Sequence, residues 1–578
     1  MRARAALVRI SPDRAKIIFW LFALVGLFLV WRLFDIQVLQ SPTLAQEARD
    51  QHAQIIDVFA RRGTIYDRSR YALVRSLKSE SVYADPTQIL DKHEAAAKLA
   101  PILGDKPQEI ETALDAQTHF RWLKRKISHE VAERIRALDI QGINIIPEET
   151  GRRFWTSGRL ASTVLGFVGL DENGLSGLEY SYDSTLRGTD GQIELETDPF
   201  QRVIPFGQQR VIEQARPGES LVLTLDGYLQ FQAERLLRDD VAKWHARAGT
   251  AIVMDPYSGE ILALANVPDF DPSHYASFKP SDWRDRAVTD TYEPGSTFKL
   301  ITAAAALESG KVTTSSRFPA RDAIVVHGST IHNAEDGMPM KGATETLEDI
   351  ISYSHNVGAA EVGLRIGART EYDEILRMGF GEPTGVDLPG ESPGIVPPLE
   401  DWSGTSLPTI AFGQGVSVTP LQLVRAYCAI ANGGMLVRPH VVRDILGPSG
   451  AVDKRIGPEV IGRVLSPKVD AELRQFLAAV VQRGTGNPSA QVPGYTTAGK
   501  TGTAQVEENG IYQPGAYVAS FIGYIPADHP RFVILVKVDE PRGAYYGSIV
   551  AAPVFAALAK IAMIHAGVFP TPTKARHG

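Results

Sequence analysis

The sequence predicts an α+β protein carried on a single N-terminal membrane helix, and three observations predict it. An uncharged apolar run, residues 17–31, follows a basic tail. Residues 41–215 mix strand-like pieces with helical ones, and residues 216–578 place paired strand patterns at both ends of a helical middle, the pattern of an antiparallel sheet flanked by helices. Composition allows all three. At 578 residues the chain outgrows one core and calls for two or three domains. A net charge of −7, with 44% hydrophobic and 22% charged residues, describes an ordinary folded chain and implies no nucleic-acid partner.

Taken in order, residues 1–16 form the basic tail, with Arg2, Arg4, Arg9, Arg14 and Lys16. Residues 17–34 read as a single-pass transmembrane anchor. The run is short, because a helix needs roughly 17–25 residues to cross the hydrocarbon layer. It spans if Arg32 snorkels and Trp20 and Trp31 sit at the interfaces. A cleaved signal peptide is the rival reading; against it, no small-x-small site follows, and the chain continues Asp35-Ile-Gln-Val38. The basic flank predicts a cytoplasmic N-terminus and exports everything after about residue 40.

Residues 41–215 form a first α+β domain, with a helical stretch over about residues 91–138 in which Ala97, Leu99, Ile102 and Leu103 recur at helical spacing. The second domain starts at residue 216. Residues 220–225 read as a strand running into Asp226, an N-cap for a helix with Leu229, Ala233, Leu236 and Leu237. Residues 250–254 and 260–264 flank the turn Asp255-Pro-Tyr-Ser-Gly259, and residues 517–524 and 532–538 flank Ala527-Asp-His-Pro530; both read as hairpins. Helices are expected from Ser296 to Gly310 and from Thr419 as cap, with Pro420 in the first turn, to Asn432-Gly-Gly434. A last helix, residues 550–565, is apolar nearly all round and therefore buried. The single cysteine, Cys428, excludes a disulfide framework and reads as a small core residue.

The chemistry centres on Glu293-Pro-Gly-Ser296-Thr-Phe-Lys299. Positions i and i+3 share a helical face, so Lys299 can meet the Ser296 hydroxyl, and a helix N-terminus offers N–H groups to an oxyanion. An ordinary lysine is neutral only about once in a thousand near pH 7, so Lys299 serves as a base only if desolvated or set near another cation. Lys500 could be that cation. Lys500-Thr501-Gly502-Thr503 looks extended, and Ser354-His355-Asn356 closes a helix candidate over residues 346–353. Ser-x-x-Lys, Ser-x-Asn and Lys-Thr-Gly each occur once, in that order. Each is weak alone; together they are the motif set of β-lactamases and penicillin-binding proteins.

The chain resembles a class B penicillin-binding protein over essentially its whole length. Arg61-Arg-Gly-Thr-Ile-Tyr-Asp-Arg68 resembles the signature that opens that family's non-catalytic pedestal, and Gly166-Phe-Val-Gly169, Gly174 and Gly177-Leu-Glu179 resemble its later motifs. These read as turns and ion pairs that hold domains together. The resemblance implies an elongated pedestal of the dimerisation type over 41–215 and a penicillin-binding, β-lactamase-like transpeptidase domain over 216–578. Thr289-Asp290-x-Tyr292-Glu293 and Tyr545-Tyr-Gly547 with Ala552-Pro-Val-Phe555 are closer to the division-specific FtsI type, whereas the elongation branch usually has proline where Glu293 stands. An elongation- or sporulation-specific paralogue stays open.

The resemblance also implies roles. Ser296 is acylated by the penultimate D-alanine of a stem pentapeptide, and an amine of a neighbouring stem resolves the ester; β-lactams inhibit covalently. Lys299 is the general base, Ser354 relays protons, Asn356 positions Lys299 and substrate, and Lys500 keeps the potential positive. Thr501, Gly502 and Thr503 hold the donor's carboxylate end, and the oxyanion sits between the Ser296 and Thr503 N–H groups. His355 reads as a bystander. Partners implied are a SEDS-type glycosyltransferase such as FtsW and other divisome membrane proteins, at the bacterial inner membrane with the catalytic domain outside. No cofactor is needed, and the 13 histidines show no metal-ligand spacing. Gly494 to Thr501 also satisfies a P-loop pattern, but Pro493 precedes it and Gly502 follows, a poor strand-to-helix context. A β-lactam sensor or a divisome scaffold is the non-enzymatic alternative.

Overall fold

A computed structural model describes residues 12–44, 53–58, 60–196, 209–334, 342–508 and 511–570. The chain divides into two compact units, residues 1–60 with 189–216, and residues 61–188 with 217–578.

In the first unit, helix α1 (Pro12–Phe34) starts ahead of the predicted span and continues through a wider turn, Asp35–Leu39. Together these 28 residues are long and apolar enough to cross a membrane. Arg32 does not reach out alone: it donates to Asp35 Oδ2 at 2.5 Å, one turn along. A three-stranded antiparallel sheet orders Ala53–Val58, Gly191–Glu196 and Gln209–Glu213.

The second unit opens with β1 (Ile65–Tyr66) and β2 (Ala72–Ala84). Over the predicted helical stretch stand α2 (Lys92–Leu103), α3 (Pro107–Leu114), β3 (Arg121–Ile127) and α4 (His129–Arg136). The intervening strand corrects the sequence reading. Arg121-Trp-Leu-Lys-Arg-Lys-Ile127 lacks a helical apolar stripe, and pairing with β2 places Trp122 opposite Tyr83, whose ring Phe120 stacks on at 4.7 Å. Strand β4 (Ile143–Trp155) pairs with the other edge of β2, and β5 (Ser220–Leu223) runs parallel to β1.

Helix α5 (Gly227–Lys243) is capped by Asp226, whose carboxylate accepts the Tyr228 and Leu229 N–H groups, as the sequence predicts. The hairpin β6 (Ala248–Met254) and β7 (Ile261–Val267) follows. Then come the helices α6 (Lys299–Glu308), α7 (Leu347–Tyr353), α8 (Asn356–Ile366), α9 (Ala368–Arg377) and α10 (Pro420–Ala431). Strands β8 (Val442–Leu446) and β9 (Val452–Arg455) precede α11 (Pro467–Arg483). The chain closes with β10 (Ala498–Glu508), β11 (Ile511–Ile525), β12 (Phe532–Asp539) and α12 (Ala551–His565).

Two sheets organise this unit. One has seven strands, with β9-β8-β5-β1-β2-β3 in order and β4 on β2, so strands from before and after residue 216 share one ladder. The other, β7-β6-β12-β11-β10, is antiparallel throughout. It is buried on both faces. Along β6, Ile252 and Met254 join the cluster containing Phe298 of the serine turn and Tyr427 of α10, while Ala251 and Val253 join Leu229 of α5 and Phe555 of α12. Cys428 is fully buried in α10, and burial pushes its thiol up.

The early arginine and glycine motifs meet inside the unit. Glu179 is fully buried and accepts from Arg62 and Arg153, each at 2.6 Å, while Arg62 also reaches Asp183 at 2.7 Å.

Candidate active site

The candidate serine lies where a tight loop turns into a helix. A 3-10 turn, Gly295–Phe298, runs directly into α6, so the α-helix begins at Lys299 rather than at Ser296. The turn is held from three sides. Gly295 N–H donates to Gly413 O at 3.0 Å, the Tyr427 hydroxyl donates to Thr297 O at 2.8 Å, and Thr297 Oγ1 donates to Pro294 O at 2.7 Å. Gly295 adopts φ +54°, and a Cβ there would lie 3.1 Å from Ala504 Cβ, so the glycine lets turn and strand β10 close together.

Lys299 is 1% exposed, and its Nζ gathers the constellation. It lies 2.6 Å from Ser354 O, 2.7 Å from Asn356 Oδ1, 3.0 Å from Ser296 Oγ and 3.2 Å from Ser354 Oγ. The two shortest contacts are to oxygens that only accept, so they engage two N–H bonds. A neutral amine then has a lone pair left for the Ser296 hydroxyl. Lys500, fully buried, donates to Ser354 Oγ at 2.8 Å and to Thr501 O at 3.1 Å. Two lysines therefore meet at one serine hydroxyl. Lys299 is thus desolvated and set beside a second lysine, the kind of surroundings a lysine base needs.

Ser354 makes that meeting possible through its backbone. It ends α7 with φ +61°, a left-handed conformation uncommon outside glycine, and turns both its carbonyl and its hydroxyl toward lysine. Helix α8 then starts at Asn356, whose Nδ2 donates to His332 O at 3.2 Å, leaving Oδ1 for Lys299. His355 is engaged elsewhere: its buried ring bonds the Glu345 carboxylate.

Strand β10 closes the opposite side. Residues 500–503 pair with residues 522–519 of β11, so Lys500 sits within a strand rather than at the strand-to-helix turn a phosphate loop requires. A Cβ on Gly502 would come 2.4 Å from Ser520 Oγ and 2.9 Å from Thr297 Cγ2; without one, the strand can lie against the serine turn. Thr501 Oγ1 shares a hydrogen bond of 2.7 Å with Thr485 Oγ1, and Gly547 N–H donates to Thr503 Oγ1 at 3.2 Å.

Ser296, Ser354, Asn356, Thr501 and Thr503 line one cleft, with Lys299, Lys500 and Gly502 in its wall. All eight predicted site residues are thus brought together. Sequence reasoning missed Phe412 and Gln414, which also line the cleft, and Thr485. The signal for the first two was Gly413-Gln414-Gly415, whose glycines both take positive φ; Thr485 carried none. The arrangement can deprotonate a serine, polarise a carbonyl beside it and hold an anion near Lys500.

Two family profiles match: the penicillin binding protein transpeptidase domain over residues 249–560 and the penicillin-binding protein dimerisation domain over residues 57–223. The chain is 35% identical over 571 residues to stage V sporulation protein D of Bacillus subtilis, covering 96% of this chain and 86% of that one. It is 31% identical over 568 residues to peptidoglycan D,D-transpeptidase FtsI of Escherichia coli, covering 95% and 92%. Penicillin binding protein 3 of Mycobacterium tuberculosis, solved with aztreonam, superposes with a TM-score of 0.68 at 30% identity over 89% of this chain and 98% of that one.

Proposed function

This chain belongs to the class B penicillin-binding proteins, a transpeptidase family of peptidoglycan synthesis and a target of β-lactams, and we propose that it cross-links stem peptides through an acyl-enzyme on Ser296. Lys299 takes the Ser296 proton as Oγ attacks the carbonyl of the penultimate D-alanine. The oxyanion is met by the N–H groups of Ser296 and Thr503. The C–N bond to the terminal D-alanine breaks, and its amine leaves with a proton relayed through Ser354. An acceptor amine then attacks the ester, loses a proton to the same relay and restores the serine. Lys500, Thr501 and Thr503 hold the donor's terminal carboxylate, with Gly502 keeping the strand close, and Asn356 orients Lys299.

The observation that supports this most is Lys299 Nζ at 3.0 Å from Ser296 Oγ, with its two shortest contacts made to acceptor-only oxygens. Mass spectrometry of full-length protein treated with benzylpenicillin and digested with trypsin tests it. One acyl adduct is expected on the peptide containing Ser296 and none in Ser296→Ala; an adduct that persists in Ser296→Ala overturns the assignment.

Within the family we place the chain in septal synthesis, anchored by α1 with its N-terminus in the cytoplasm and working beside an FtsW-like glycosyltransferase. Glu293 supports the branch. Its carboxylate accepts Gly415 N–H at 2.7 Å and the Tyr512 hydroxyl at 3.1 Å, contacts a proline could not make. Depletion should give filaments with unfinished septa; rounded cells would indicate elongation instead. The likeness to a sporulation protein favours one second reading, which intact growth with failed spore maturation would select.

A further inference from the structure

Behind the serine helix lies a buried acid that no step of acylation uses. Glu371, on α9, is fully buried; its Oε1 is 2.6 Å from Thr302 Oγ1, and its Oε2 meets no hydrogen-bond partner among the described residues. Thr302 is on α6, three positions beyond Lys299 and so on its face, and is itself buried. Its Oγ1 also lies 3.0 Å from Ala411 O. Ala411 leads into Phe412-Gly413-Gln414, the segment that lines the cleft through Phe412 and Gln414 and accepts the Gly295 N–H on Gly413 O at 3.0 Å.

The protons available decide how these contacts are shared. A threonine hydroxyl carries one, a backbone carbonyl none, and an ionised carboxylate none. With Glu371 ionised, Thr302 can satisfy either Glu371 or Ala411 but not both. With a proton on Glu371 Oε1, both contacts become hydrogen bonds: Glu371 donates to Thr302 Oγ1, and Thr302 donates to Ala411 O.

We propose that Glu371 is a positioning residue for acylation, whose protonated form makes Thr302 hold the Ala411 carbonyl and thereby the Phe412–Gln414 wall of the cleft and the serine turn bonded to it. Loss of the proton turns the Thr302 hydroxyl to the carboxylate and releases that wall. The surroundings favour the neutral form. Burial raises Glu371 to about 7, against the Thr302 hydrogen bond, which lowers it, and with the Glu374 carboxyl on the same helix adding to the rise. Glu374 is itself held by Arg377 at 2.7 Å. The elements packed against α9 bring Lys299 and Glu308 on α6, Glu361 and Arg365 on α8, and Glu400 and Asp401 on a 3-10 turn; the charge that reaches Glu371 is that of Glu374. The hold is therefore present below about pH 7 and lost as pH rises through it.

This inference rests on the acyl-enzyme at Ser296. The test measures the second-order rate of acylation by a fluorescent penicillin, from about pH 5.5 to about pH 9, for full-length wild type and Glu371→Gln in detergent. The amide that Glu371→Gln introduces donates to Thr302 at every pH. The ratio of variant to wild type cancels the titration of the other site groups and should be near one at the acid end, rising roughly two- to tenfold at the alkaline end. A ratio flat with pH overturns the proposal. Should Glu371→Gln fail to fold, Thr302→Ser is compared with Thr302→Val: the hydroxyl variant should be faster at low pH and lose that advantage at high pH, and a constant ratio overturns the proposal. A wild type that forms no adduct on Ser296 overturns the acyl-enzyme reading as well, which separates the two failures.

Discussion

Glu179 and Ser296 show how differently single side chains announce themselves. Ser296 and Lys299 were legible because their pairing depends on three residues of helical spacing. Glu179 stood out only as the acid of Gly177-Leu-Glu179, while Arg153, 26 residues before it, gave no local sign of joining it across the fold. Removing the Glu179 charge would leave the buried Arg153 guanidinium without its carboxylate and Arg62 with Asp183 alone, which costs about 3 kcal/mol or more. Glu179→Gln is expected to lower stability by that order in urea unfolding, while the protein that still folds acylates at the wild-type rate. Undiminished stability would mean that Arg62 and Arg153 do not depend on this partner.

Caps and turns made the helices legible, and tertiary contacts moved their ends. The predicted start of α6 at Ser296 shifts to Lys299 because Gly413 and Tyr427 pull the preceding residues into a tighter turn. By contrast, α10 begins where its own chemistry says: Thr419 Oγ1 accepts the Gln422 N–H at 3.1 Å, Gln422 Oε1 accepts the Thr419 N–H at 2.9 Å, and Pro420 needs no donor. Thr419→Ala should cost about 1 kcal/mol in chemical denaturation, with Thr419→Ser recovering most of it. An equal loss in both would locate the effect in methyl packing rather than in the cap. Strand β3 escaped the sequence reading for the opposite reason, since its conformation is settled by the aromatic face of β2 opposite it.

For the molecule as a whole, buried acids set the response to pH. Burial holds Glu234, Glu371 and Glu374 at about 7 and Asp240, Asp285 and Asp470 at about 6. In the unfolded chain such groups ionise near pH 4, so between those limits the native state binds more protons and stability falls as pH rises. Carboxyls held low by their partners, Asp349 and Asp444 among them, are ionised in both states above about pH 5 and add no slope there. The melting temperature should therefore be lower at about pH 8 than at about pH 5.5; a rise over that range would show the buried acids to be ionised in the fold. What could be read along the chain was whatever depends on near neighbours: the apolar anchor, strand and helix periods, caps, the serine–lysine pair and the order of the motifs. Folding decided the left-handed turn at Ser354, the ladder shared by strands on both sides of residue 216, and the meeting of Lys299 with Lys500. Those join residues 55, 57 and 146 positions apart around the two lysines, and contacts closed over such loops depend on the packing of the whole unit, which leaves no local pattern to read.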